Sequence, residues 1–232
     1  MRNRHISMFR DRKDAGLKLA EALKPYRKHD PLVLAIPRGG VEIGFHVALA
    51  LDAPFAILVA RKLPLPGDPE AGFGAVAEDG STFLIEPLAA TLGSAVVDET
   101  IRRQREEIRR RIEVLRAGEP LPSLRDRAVI VLDDGIAMGS TIRAAIALCR
   151  NRKAQRVIAA APVASPITAE DLKRIADEVV ILEKPRFFRA VAQVYEHWHD
   201  VSDEEVLRIM DEYRRRKVDV ERPPQRGRSP WA

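Results

Sequence analysis

Val129-Ile130-Val131-Leu132-Asp133-Asp134-Gly135-Ile136-Ala137-Met138-Gly139-Ser140-Thr141 decides how this chain is read. Four β-favouring apolar residues predict a buried strand, and two carboxylates stand where it should end. Small residues and hydroxyls follow, and Ile142 to Arg150 take up helical spacing. The order is strand, acidic tip, glycine-bearing loop, helix N-terminus. Backbone N–H groups in such a loop, with the positive end of the helix dipole, can hold a phosphate without any lysine. Asp133 and Asp134 can accept hydrogen bonds from sugar hydroxyls or share a hard divalent cation such as Mg2+. Phosphate, polyol and metal side by side point to a sugar phosphate.

Two other phosphate loops fail on the same residues. A P-loop requires Gly-x-x-x-x-Gly-Lys-Ser/Thr, and no such lysine follows Gly135. A dinucleotide-binding turn requires Gly-x-Gly-x-x-Gly with its acid about 20 residues later, whereas here the acids come first.

Outward from this stretch, apolar runs at Leu32–Ile36, Phe55–Ala60, Arg156–Ala161 and Glu178–Leu182 predict further strands. Helical spacing over 9–24, Val41–Leu51 and about 166–177 alternates with them. That alternation predicts an α/β fold, an open and mainly parallel sheet with helices on both faces. Leu63 to Gly72 holds Pro64, Pro66, Gly67, Pro69 and Gly72 and reads as a long, mobile loop. Ala75–Ala77 and Thr82–Glu86 flank Asp79-Gly80 as a β-hairpin, so an insert is expected over about 63–86. A long charged helix follows at about 95–117, with a narrow apolar stripe of Val97, Ile101, Ile108, Ile112 and Leu115. It lies across the core or forms the seam of a homodimer, and its charges read as a solvated face. Asp203–Tyr213 is a helix capped by Ser202 with Glu205 three residues on.

The 232 residues, 46% hydrophobic and 31% charged, suit one α/β core over 1–213. The net charge of +5 is concentrated: from residue 214 onward seven bases face two acids, which accounts for the whole excess. With Pro223, Pro224, Gly227 and Pro230, residues 214–232 read as a basic, disordered tail. Nucleic acid is therefore not an expected partner, apart from a salt-sensitive contact by that tail. The single Cys149 excludes an internal disulfide framework and fits a reducing cytoplasm; it reads as a packing residue. No secretory signal follows Met1–Met8, and no apolar run is long enough to span a membrane.

Pro37-Arg38-Gly39-Gly40 ends the first strand. Its glycines allow a close backbone approach to a ligand, and Arg38 offers a planar fork suited to phosphate oxygens. Residues 185–201 hold Phe187, Phe188 and Tyr195, which either stack on a flat base or pack beneath the last helix. His197 and His199 lack a third ligand and read as a surface pair.

The order of apolar strand, Asp-Asp and Gly-Ile-Ala-x-Gly-x-Thr resembles the loop that binds phosphoribosyl pyrophosphate (PRPP) in type I phosphoribosyltransferases. On that resemblance Pro37–Gly40 is similar to the pyrophosphate loop, and Arg61-Lys62 with the insert to the catalytic flexible loop. The resemblance implies Mg2+-dependent transfer of ribose 5-phosphate from PRPP to a nitrogen acceptor, usually a nucleobase. Gly135 to Thr141 would hold the 5′-phosphate, and Asp133 and Asp134 the ribose hydroxyls, directly or with the metal. Arg38, Arg61 and Lys62 would take up the departing pyrophosphate, and residues 185–201 would form a hood over the acceptor. Met138 stands where many members have Thr, implying weaker PRPP binding. Ala137 stands where 6-oxopurine enzymes carry Asp, which argues against a hypoxanthine–guanine acceptor. A PRPP- or nucleotide-binding regulator on the same fold is the alternative. A PRPP-forming pyrophosphokinase is disfavoured, because no ATP motif is evident.

Overall fold

A computed structural model describes residues 8–221. Five strands form a wholly parallel sheet: β1 (Leu32–Ala35), β2 (Phe55–Ile57), β6 (Ala128–Leu132), β7 (Arg156–Val163) and β8 (Glu178–Glu183). Their spatial order is β2-β1-β6-β7-β8. β1, β2 and β6 are buried along their whole length, as expected where helices cover both faces. One face carries α1 (Arg12–Leu23), α2 (Gly40–Leu51) and α7 (Asp203–Glu221), and the other carries α5 (Ser140–Asn151) and α6 (Pro166–Leu172).

The strand order reverses between β1 and β6. From β1 the chain steps to β2 on one side, whereas β6, β7 and β8 run outward on the other. Ligands in open α/β sheets bind at the carboxyl ends of strands flanking such a reversal. The two loops there are 36–39, after β1, and 133–139, after β6. Ile36 N–H donates to the Leu132 carbonyl at 3.0 Å, so the loops leave the sheet side by side.

The insert departs from its expected form. Phe55–Ala60 is not one strand: β2 ends at Ile57, and Ala60 begins β3 (Ala60–Leu65) in a separate antiparallel sheet with β4 (Asp68–Ala77) and β5 (Thr82–Leu84). Leu63–Gly72 is therefore no open loop. It is the tip of the β3–β4 ribbon, turning at Pro66-Gly67, with register shifts beside Pro64. Proline tolerates such an edge because the ribbon has few neighbours there to receive its missing N–H. Phe73 anchors the ribbon, fully buried.

A short helix, α3 (Glu86–Leu92), precedes the long α4 (Ser94–Arg116). Arg116 at the end of α4 donates to Glu78 Oε1 (3.0 Å) and to the Ile57 carbonyl (2.9 Å), fastening α4 to the ribbon. α7 begins with the expected reciprocal cap between Ser202 and Glu205. It continues through 214–221, into the segment expected as a tail; residues 222–232 lie outside the described residues. Cys149 is fully buried in α5, and burial pushes its thiol up to about 12. Among the described residues no helix is long and apolar enough to cross a membrane.

Candidate active site

The loop after β6 is held open by its neighbours. Ile136 N–H donates to the Val163 carbonyl (2.9 Å), its carbonyl accepts from Ser165 N–H (3.1 Å), and Thr168 Oγ1 donates to the Ala137 carbonyl (2.7 Å). Gly139 then turns into α5 with φ +77°, a conformation glycine adopts without strain. No side chain caps α5, so its first N–H groups face outward at the positive end of the helix. A cavity of about 300 Å³ lies over this loop, lined by Asp133, Gly135 to Ile142, Lys62 and Gly72 from the ribbon, and Arg189 and Val191.

A second cavity, of about 410 Å³, adjoins it over the β1 loop. Pro37, Arg38, Arg61, Lys62, Gln104 and Arg111 are among its walls, and Asp133, Thr141 and Lys62 belong to both cavities. Its charge is cationic. Arg61 donates to Gln104 Oε1 at 2.8 Å and lies 3.8 Å from Glu107, while Arg38 lies 3.7 Å from Asp203. Burial lowers the pKa of Arg61, and the nearby Arg111 adds to this; an anion in the cavity would relieve both.

Asp133 and Asp134 take different parts. Asp133 stands at the junction of the cavities. Burial pushes its carboxyl well above the ordinary range, and the Asp134 carboxylate pushes it further. Asp134 lines neither cavity. Its Oδ2 accepts from Arg12 Nε at 2.9 Å, with both side chains almost wholly buried. Burial raises the Asp134 carboxyl, and the Arg12 guanidinium opposes that rise. Arg12 also donates to the His199 carbonyl (2.9 Å) and lies 3.9 Å from the centre of the Trp198 ring. Tyr195 Oη donates to the Asp134 carbonyl at 2.7 Å. Of the two carboxylates expected to face the ligand, Asp133 lines both cavities, whereas Asp134 is held in a buried ion pair with Arg12.

Gly39 and Gly40 lie tight against the neighbouring loop. A Cβ at Gly39 would collide with Asp134 Oδ2 and sit 2.5 Å from its Cγ; one at Gly40 would sit 3.0 Å from Asp133 Cα. The close approach seen here is to the neighbouring loop, and neither glycine lines the second cavity. Of this tetrapeptide, Pro37 and Arg38 reach it.

Tyr195 is buried, packed between Phe9 and Trp198 at centroid distances of 5.7 and 5.3 Å, so it has no face to offer a base. Phe188 is half-buried against the core, and Phe187 is 93% exposed; neither lines the two cavities. His199 pairs with Glu205 at 3.1 Å.

The sequence model of the phosphoribosyl transferase domain matches residues 12–197. The chain belongs to the phosphoribosyl transferase family. A Mycobacterium tuberculosis protein named "Putative phosphoribosyl transferase", found in strains CDC 1551 and H37Rv, is 39% identical over 208 residues. That match covers 89% of this chain and 47% of the relative, so the chain spans about half the length of the curated relatives it matches. The crystal structure of TT1426 from Thermus thermophilus is 39% identical, with a TM-score of 0.74 over 88% of this chain and 98% of that one.

Several residues that build the site in this phosphoribosyl transferase chain carry no motif. Gln104 and Arg111 lie seven apart on α4, hence on one helical face, and turn to the second cavity. That spacing is present in the sequence, but the surrounding charges hide it. Arg12 and Arg189 give no signal at all: the Asp134 partner of Arg12 lies 122 positions on, and the loop that shares a cavity with Arg189 lies about 50 positions before it.

Proposed function

We propose that this domain transfers ribose 5-phosphate from PRPP to a nitrogen acceptor, a nucleobase or similar ring, and releases pyrophosphate. One observation carries the reading. Two cavities meet at Lys62, Asp133 and Thr141, one over an uncapped helix N-terminus and the other walled by guanidinium groups. A ligand with a single phosphate at one end and a diphosphate at the other suits that pair.

The N–H groups of Gly135 and of Ala137 to Thr141, with the Ser140 and Thr141 hydroxyls, would hold the 5′-phosphate; the Ile136 N–H is spent on the Val163 carbonyl. Asp133 would accept from the ribose hydroxyls and oppose the positive charge that develops at the anomeric carbon. Arg38, Arg61, Lys62 and Arg111 would hold pyrophosphate as the glycosidic C–O bond breaks. Asp134 would act from behind, holding the β6 loop against Gly39 through Arg12. The β3–β4 ribbon would keep water from the reactive centre, since hydrolysis competes with transfer.

The donor set fits Mg2+ held jointly with the ligand. Among the described residues no group of three or more acids, histidines or cysteines is placed to hold a metal alone. Asp133 offers hard oxygens at the junction, and phosphate and hydroxyl oxygens would complete the shell. The ion would neutralise charge on the leaving pyrophosphate.

The test is pyrophosphate release from PRPP and Mg2+ across a panel of purines, pyrimidines and other nitrogen rings. Release with one acceptor class establishes the reading. PRPP binding without release against any of them favours a binding protein on this fold, and no PRPP binding refutes both.

A further inference from the structure

The phosphate loop holds no cation of its own, and Met138 stands exposed where a hydroxyl would help. Two cationic residues from outside the loop nevertheless line this cavity, Lys62 of the ribbon, shared with the second cavity, and Arg189. The Arg189 segment is fixed in two ways. Gln193 Oε1 accepts from the N–H groups of both Arg189 (2.9 Å) and Ala190 (3.2 Å), closing a tight turn. Two residues on, Val191 presses on the loop itself: a Cβ at Gly135 would lie 2.6 and 2.8 Å from its methyl carbons. The segment 185–191 and the phosphate loop are thus in direct contact, and Arg189 lines the cavity over that loop.

No carboxylate among the described residues pairs with the Arg189 side chain. The acid in its cavity is Asp133. A cationic side chain sharing a cavity with the positive end of α5 is unfavourable by itself, and an anion bound there makes both contacts favourable. The other arginine of this neighbourhood, Arg143, is already engaged, paired with Asp171 at 3.1 Å and lying 5.0 Å from the Phe83 ring centre.

We propose that Arg189 is a binding residue for the ribosyl 5′-phosphate, supplying from the hood the charge that the loop lacks. This rests on the reading of the loop as a PRPP site. Arg189, not the neighbouring Phe187, is then the side chain through which the hood senses an occupied phosphate loop.

The experiment is calorimetric titration of wild type, Arg189→Gln and Arg189→Lys with PRPP, ribose 5-phosphate and inorganic pyrophosphate, each with Mg2+. Loss of one charge-assisted contact predicts about tenfold weaker binding of PRPP and of ribose 5-phosphate to Arg189→Gln. Pyrophosphate binding is expected to stay unchanged, which also reports that the variant is folded, and Arg189→Lys to recover part of the loss. Unchanged ribose 5-phosphate affinity in Arg189→Gln, or an equal loss for pyrophosphate, overturns the assignment. Failure of the wild type to bind PRPP would instead overturn the proposed function.

Discussion

Replacing Arg12 by Met is expected to cost most of a small domain's stability margin. Its guanidinium is 4% exposed and pairs with Asp134 at 2.9 Å, a carboxylate that is itself buried. The long apolar stem of Met would fill the space and keep contact with Trp198, so the variant isolates the charge. What remains is a buried carboxylate without a counterion, and the His199 carbonyl without its donor. Removing one member of a buried pair costs about 3–5 kcal/mol. For a chain of this size each kcal/mol moves Tm by roughly 2–4 °C, so Tm should fall by about 10 °C. The assay is urea and thermal unfolding of wild type, Arg12→Met, Asp134→Asn and the double variant. Because the pair is one interaction, the double variant should lose far less than the sum of the singles. A loss below about 1 kcal/mol in Arg12→Met, or additive losses around the cycle, would refute the claim that this pair fastens the β6 loop to α1.

The two acids should separate by assay. Asp133→Asn is expected to keep the wild-type Tm and lose at least about a hundredfold in pyrophosphate release, whereas Asp134→Asn lowers Tm; near-full turnover in Asp133→Asn contradicts its role. Met138→Thr adds a hydroxyl at an exposed position beside the helix N-terminus and should tighten PRPP binding by roughly threefold to tenfold; unchanged affinity in titration contradicts that. The Arg110 guanidinium, helped by Arg111 and Arg61, holds the Glu107 carboxyl down to about 2 against some opposing burial. A lowered folded value stabilises above the unfolded pKa and is lost as pH falls, so the Tm gap between wild type and Glu107→Gln should shrink between about pH 4.5 and 2. A gap that stays constant over that range would show that the ion pairs contribute nothing.

The sheet is legible in the sequence because parallel strands buried on both faces must be continuously apolar, and Val129–Leu132 and Leu32–Ile36 are. The phosphate loop is legible because its chemistry is local: backbone donors, a turn glycine and a helix start follow one another in the chain. The ribbon is not, since prolines and glycines at 64–72 read as breakers until an antiparallel partner supplies the ladder. The ion pair of Asp134 is hidden for a related reason. A carboxylate beside a phosphate loop looks like a ligand group, and nothing nearby in the chain announces an arginine 122 positions earlier as its partner. Gly39 and Gly40 do mark points of close approach, but what approaches is set by the sheet order, not by the tetrapeptide.

A crystal structure of the protein with a non-reactive PRPP analogue and Mg2+ tests the central claim most directly. The account predicts the 5′-phosphate on the main-chain N–H groups of Gly135 and Ala137 to Thr141, the ribose hydroxyls at Asp133, and the diphosphate among Arg38, Arg61 and Arg111. A ligand seated away from the carboxyl ends of β1 and β6, or one bound with its diphosphate on the α5 N-terminus, would contradict it.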